Sequence, residues 1–188
     1  MDRIIYINGL RGEQSNFLLN RGKETLISNH FKFSKIDVSV TSANLDYFNF
    51  SEFTNSLNNL IDEIKLKGNN LLIVGNSLGG LISMFLSAKT GVKSVLINPC
   101  TDISSIEILK NDIYNELHSM QSFIKSYDFN DDNFPLVFLC EDDKRINPEI
   151  FISKYSNRIS TIKMIPGNGH YFEDFEDYID DIESIISV

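Results

Sequence analysis

An α/β fold, a mostly parallel sheet of about six strands with helices on both faces, is predicted by three features of this sequence. Short apolar runs alternate with longer stretches of helical period, roughly six times along the chain. The runs themselves, such as "LLIVGN" and "PLVFLC", do not alternate apolar with polar residues, as expected of strands covered on both sides. Each run also ends in a polar or glycine-containing turn, where open parallel sheets place their ligand-binding residues.

The elements follow in order. "RIIYIN" reads as a strand, "NFLLNRGKETLISNHF" as a helix, "FSKIDVSV" as a strand and "FSEFTNSLNNLIDEIKLKG" as a helix ending at Gly68. Strand "LLIVGN", helix "LGGLISMFLSAKTG" and strand "VKSVLINP" come next. After a polar stretch holding one or more helices come strand "PLVFLCE", helix "PEIFISKYSN", strand "ISTIKMIP" and a final helix. In that last segment Phe172, Phe175, Tyr178, Ile179 and Ile182 recur at helical spacing among acidic residues, which describes an amphipathic helix with a solvated acidic face.

The length of 188 residues fits a single domain over residues 1–188. Residues 101–133 are long for a connection between strands, so they are expected to form a lid or acyl-pocket insertion within it. With 42% hydrophobic residues, 14 Phe, 7 Tyr and only 4 Pro, the composition is that of a folded globular chain. A formal charge of -9 disfavours nucleic acid or an anionic membrane surface as partner. The start "MDRIIYINGL" is unlike a secretory signal, and no apolar run approaches the roughly 20 residues of a membrane span. Cys100 and Cys140 are too few and too far apart for a disulfide framework or a metal site, and a cytoplasmic location with reduced thiols is expected. Cysteine nucleophile chemistry is a minor alternative.

In "GNSLG" the pattern Gly75-x-Ser77-x-Gly79 falls where a strand ends and a helix begins. A serine on so sharp a turn is forced into strained dihedrals, and larger residues at the flanking positions would strike the neighbouring strand or helix. The turn projects the hydroxyl outward and places the Leu78 N–H at a helix N-terminus, where it could stabilise an oxyanion. A structural turn or a phosphate cradle is the competing reading. A Walker loop is excluded because "GNSLGGLIS" lacks its lysine and spacing.

A serine nucleophile requires a base and an orienting carboxylate. Of the three histidines, His30 and His118 suit surface or packing roles. His170, in "IPGNGHYF", follows the last strand through a glycine-rich loop and belongs over the sheet edge that carries Ser77. The loop "CEDDKRINP" offers Glu141, Asp142 and Asp143. Asp143 is the choice, because Ile146 and Pro148 return the chain to the sheet after it, and Asp142 is the alternate. The chain order Ser, Asp, His is that of an α/β-hydrolase.

Taken together, "IYINGLRGEQSN", "VGNSLGGL", "LINP", "EDDKRIN" and "IPGNGHYFEDFEDY" resemble the small α/β-hydrolases of the YqiA type, described as esterases. The likeness covers nearly the whole chain, and the last segment is its most specific part. The resemblance implies that Ser77 attacks an ester carbonyl, that His170 relays the proton and that Asp143 holds the imidazole. It also implies an oxyanion hole from the N–H groups of Leu10 and Leu78. Two departures stand out: Asn8-Gly9 where such proteins carry His-Gly, and Asp142 where a glycine is usual.

The expected function is therefore hydrolysis of small-molecule carboxylic esters or thioesters of short to medium acyl chains through an acyl-enzyme, with no metal or organic cofactor. The alternative is a catalytically inactive protein of the same fold that binds a ligand or partner in the pocket. Peptide hydrolysis is a third reading.

Overall fold

The structure, a computed structural model, describes residues 2–10, 17–43, 45–68, 70–103, 114–125, 133–134, 136–157, 159, 161–167, 169–170, 172 and 174–186. Its six strands are β1 (Arg3–Ile7), β2 (Ser39–Ala43), β3 (Leu71–Asn76), β4 (Lys93–Ile97), β5 (Leu136–Cys140) and β6 (Ile162–Ile165). All pair in parallel in the order β2-β1-β3-β4-β5-β6. The expected sheet is thus present, without an antiparallel strand among the described residues.

The helices are α1 (Phe17–Phe33), α2 (Phe50–Lys67), α3 (Leu78–Thr90), α4 (Tyr114–Lys125), α5 (Pro148–Tyr155) and α6 (Ile179–Ile186). Strand pleating separates two cores. Ile4 and Tyr6 of β1, with Leu72 and Val74 of β3, face α1 and α6 through Ile27, Phe31, Ile179 and Ile182. Ile5, Ile7 and Ile73 face the opposite layer, built on Phe53, Leu57 and Ile64 of α2, Leu81 and Phe85 of α3, Leu117 and Met120 of α4, and Phe151 of α5. Burial on both faces explains why these strands are continuously apolar.

Helix ends follow local chemistry. Asn49 caps α2 through its side chain, which accepts from the N–H groups of Ser51 at 3.1 Å and Glu52 at 3.2 Å. Gly91, at φ 74°, ends α3 in the left-handed region.

Two boundaries differ from the sequence expectation. The segment read as strand from Phe33 instead closes α1, with Ser34 and Ile36 donating N–H bonds to the carbonyls of His30 and Phe31. The strand starts later because its register sets Arg3 opposite Ser39 and Ile7 opposite Ala43. It is an edge strand with a partly exposed surface, so its own hydrophobicity marks it poorly. The C-terminal helix begins as a 3-10 turn over Phe175–Tyr178 and becomes α-helical at Ile179. Of residues 101–133, only 101–103, α4 and Asn133 are described, while 104–113 and 126–132 lie outside the described residues.

The chain builds outward from β1 in both directions, to β2 on one side and β3 on the other. The helices that follow β1 and β3 lie on opposite faces of the sheet, so the carboxyl ends of these two strands form the switch point at which open parallel sheets bind ligands. At that point α3 lies very close to β1: a Cβ on Gly79 would sit 2.1 Å from the Ile7 carbonyl oxygen and 2.6 Å from that of Asn8. Because those are backbone atoms, Gly79→Ala should lower unfolding stability by about 3 kcal/mol, read as a reduced urea midpoint at unchanged slope.

Candidate active site

Ser77 occupies the turn between β3 and α3 with φ 56° and ψ -121°, a conformation that non-glycine residues seldom adopt. Its flanks show why the turn requires glycine. A Cβ on Gly75 would lie 2.0 Å from Ser83 Oγ and 2.3 Å from the Gly79 carbonyl oxygen. The backbone of Ser77 is held on both sides: its N–H donates to the Ile97 carbonyl, and its own carbonyl accepts from Gly80 and Cys100, each at 2.9 Å. Its side chain makes no capping hydrogen bond to α3.

The loop after β1 meets this turn at Gly9, where a Cβ would approach Ser77 Cβ to 2.9 Å. Leu10 follows, half-buried against the α2–α3 core. Leu78 is the first residue of α3, so its N–H has no acceptor within the helix. Asn8 is fixed by its backbone: its carbonyl accepts from Tyr47 Oη at 2.6 Å. Burial, with a smaller contribution from Tyr6, pushes the Tyr47 phenol well above its ordinary pKa, which keeps the donor protonated. The Asn8 side-chain oxygen is buried without a hydrogen-bond partner among the described residues.

The structure distinguishes the three acids. Asp143, with 1% of its side chain exposed, places Oδ2 2.8 Å from His170 Nδ1. Its Oδ1 accepts from the N–H groups of Arg145 at 2.8 Å and Ile146 at 3.0 Å, and Ile146 is buried. Asp142 is exposed and accepts the Gly169 N–H at 2.8 Å, bracing the histidine loop rather than the imidazole. Glu141 is exposed too. A carboxylate can only accept, so Asp143 keeps a proton on Nδ1 and leaves Nε2 as the basic nitrogen of His170.

Asn98, the residue after β4, received no role from the sequence. It is 2% exposed at φ 41°, and its side chain joins the ends of β4 and β5 to the histidine loop. The only signal was its place after an apolar strand, in "LINP". Tyr47 carried no signal at all.

His30 pairs with Glu183 and, at 3.5 Å, with Asp180 of α6, while His118 is exposed on α4. His30, Asp180 and Glu183 form the only group among the described residues with three close metal-ligand types, and it joins α1 to α6, not the Ser77 turn. Cys100 and Cys140 are buried thiols, not joined in a disulfide. Burial chiefly, with Asp143 and Asp142 nearby, pushes the Cys140 thiol up to about 11 against opposing contributions from Asn98 and Lys23. A thiol so protonated is a poor nucleophile at neutral pH.

These elements, their order and the strained serine turn define the α/β-hydrolase fold, and solved structures similar to this chain share it. The chain belongs to the family described as an uncharacterised protein family (UPF0227), that of YqiA, whose sequence model matches residues 3–187. Est1E from Butyrivibrio proteoclasticus is similar at 16% identity and TM-score 0.69, over 99% of this chain and 87% of its own. A hyperthermophilic esterase from the archaeon Pyrobaculum calidifontis is similar at 14% identity and TM-score 0.64, over 99% and 76%. An S-formylglutathione hydrolase from Agrobacterium tumefaciens is similar at 14% identity and TM-score 0.63, over 99% and 83%. Among curated proteins, none matches. No helix of the described residues is long and apolar enough to cross a membrane.

The Cys140 environment gives a direct expectation. Iodoacetamide at pH 8 should leave Cys140 unmodified in native protein and alkylate it after denaturation, as read by peptide mass spectrometry.

Proposed function

We propose that this protein is a serine hydrolase of small carboxylic esters or thioesters, working through an acyl-enzyme on Ser77. The observation that carries the reading is the 2.8 Å contact between His170 Nδ1 and the buried carboxylate of Asp143, downstream of a serine on a strained strand-to-helix turn. An imidazole held so is oriented as a general base.

Ser77 Oγ attacks the acyl carbonyl as His170 Nε2 takes its proton, and the charge developing on the carbonyl oxygen falls to the N–H groups of Leu78 and Leu10. The imidazolium, stabilised by Asp143, then protonates the departing alcohol or thiol. Water enters, loses its proton to Nε2 and attacks the acyl-enzyme; collapse of the second oxyanion returns the proton to Ser77 and releases the acid. Gly9, packed against Ser77, lets the Leu10 donor approach where a side chain at that position would crowd the nucleophile.

Residues 101–133 serve in this reading as the lid or acyl-pocket wall. Support comes from their point of departure, since Cys100, just before them, donates its N–H to the Ser77 carbonyl. The two neighbours whose names specify an esterase and an S-formylglutathione hydrolase are consistent with ester and thioester chemistry.

A fluorophosphonate probe and short and medium p-nitrophenyl esters test the proposal. Labelling and turnover should both vanish in Ser77→Ala, with kcat down by about four to six orders of magnitude. Absence of labelling in folded wild-type protein would overturn catalysis and leave the binding-protein reading. Asp143→Asn should lower kcat on the order of 10³- to 10⁴-fold by allowing the wrong imidazole tautomer. Asp142→Asn, which keeps an acceptor for the Gly169 N–H, should stay within about threefold of wild type; a reversal of this ranking would make Asp142 the acid.

A further inference from the structure

The stretch from Ile97 to Cys100 bonds Ser77, the loop that carries His170 and the end of the strand that leads to Asp143. Its backbone brackets the nucleophile, because the Ile97 carbonyl accepts the Ser77 N–H and the Cys100 N–H donates to the Ser77 carbonyl, both at 2.9 Å. Between these contacts stands Asn98, whose N–H donates to the Phe138 carbonyl of β5 at 2.9 Å. Its side-chain Oδ1 accepts the Cys140 N–H at 2.8 Å, three residues before Asp143. On the other side of the amide, Nδ2 donates to the His170 carbonyl at 3.2 Å, lies 3.4 Å from the Gly169 carbonyl and 3.3 Å from Cys140 Sγ.

The amide orientation follows from its partners. A backbone N–H can only donate and a backbone carbonyl can only accept, so Oδ1 must face Cys140 and Nδ2 must face Gly169 and His170. The arrangement calls for a short side chain with one acceptor and one two-proton donor, on a residue that tolerates φ 41°. Asparagine meets both conditions, since it visits the left-handed region more readily than most residues. A leucine would leave buried polar groups unsatisfied, and an aspartate would set an oxygen against two carbonyl oxygens.

The histidine loop requires such a hold. Gly167 and Gly169 take φ 73° and 54°, which glycine adopts without steric cost but also leaves readily. Asp142 grips the loop on its exposed side through the Gly169 N–H, and Asn98 grips it from the buried side.

We propose that Asn98 is a positioning residue that sets His170 in register with Ser77 by tying the His170 carbonyl to the strand that brackets the nucleophile. The proposal rests on the serine-hydrolase reading for its kinetic consequence, but not for its structural one. Asn98 touches no reacting atom and acts through the imidazole it places.

Asn98→Asp tests it, because the variant keeps size, tolerance of the dihedral and the acceptor for Cys140 while losing the donor to the loop. Its kcat for a p-nitrophenyl ester should fall by about 30- to 100-fold, with KM within about twofold, since the carbonyl-binding donors are untouched. The second readout is the downfield proton resonance of the His170–Asp143 hydrogen bond, recorded in wild type and in the Ser77→Ala background. It should shift or broaden in Asn98→Asp while the circular dichroism spectrum is retained. Wild-type kcat together with an unmoved resonance would overturn the proposal. A wild type that neither turns over nor labels, but whose resonance moves in the variant, would sink the hydrolase reading and keep the positioning role. Should Asn98→Asp not fold, Asn98→Gly, which suits the dihedral and removes both bonds, decides by the same two readouts.

Discussion

The close approach of α3 to the carboxyl ends of β1 and β3 governs the rest of the molecule. It exists because Gly75 and Gly79 present no side chain where Ser83, Ile7 and Asn8 already fill the space. Residues Leu78 to Ser87 are buried without interruption, so α3 is a central helix and not a surface one. With helix and strands fixed, the connecting residue has little conformational choice, and Ser77 takes up a strain of about 1–3 kcal/mol. Three backbone hydrogen bonds and the burial of α3 offset that cost. The hydroxyl is thus presented by a rigid junction.

The histidine is held differently. It sits on a glycine-bearing loop that is tied by contacts made at either end. Downstream, Phe172 is fully buried at φ 52° and packs against Phe138 and Phe175, with centroids 5.5 Å away in both cases. Tyr178 closes the cluster at 5.1 Å from Phe172. Since Phe138 belongs to β5, the strand that leads to Asp143 also anchors the chain just beyond His170. Asp143 and the chain just beyond His170 are therefore referenced to one strand. Polar contacts from Asp142 and Asn98 complete the fixation.

Legibility from sequence followed burial. β3 and β5 were readable because both faces are covered, and continuous apolarity is what such strands require. β2 was misplaced because an edge strand with exposed and half-buried residues has no comparable pattern, and "SVTSA" owes its conformation to pairing with β1. The C-terminal aromatics were correctly taken as apolar and periodic, yet the first turn is 3-10, a distinction of hydrogen-bond partner that spacing does not carry.

The sequence by itself determined the parallel α/β architecture, the serine on its glycine-flanked turn, and the short roster of acids and histidines from which a triad could be drawn. Those features rest on local sterics and on periodicity, both of which are properties of neighbouring residues. Only the tertiary structure decided that Asp143 and not Asp142 meets the imidazole, since Asp143 is buried with its Oδ1 held by the backbone N–H groups of Arg145 and Ile146 while Asp142 is exposed. It alone revealed Asn98 at the meeting of β4, β5 and the histidine loop. Residues 72 positions apart came within a hydrogen bond there, and such proximity is created by the sheet order and by nothing local to either segment.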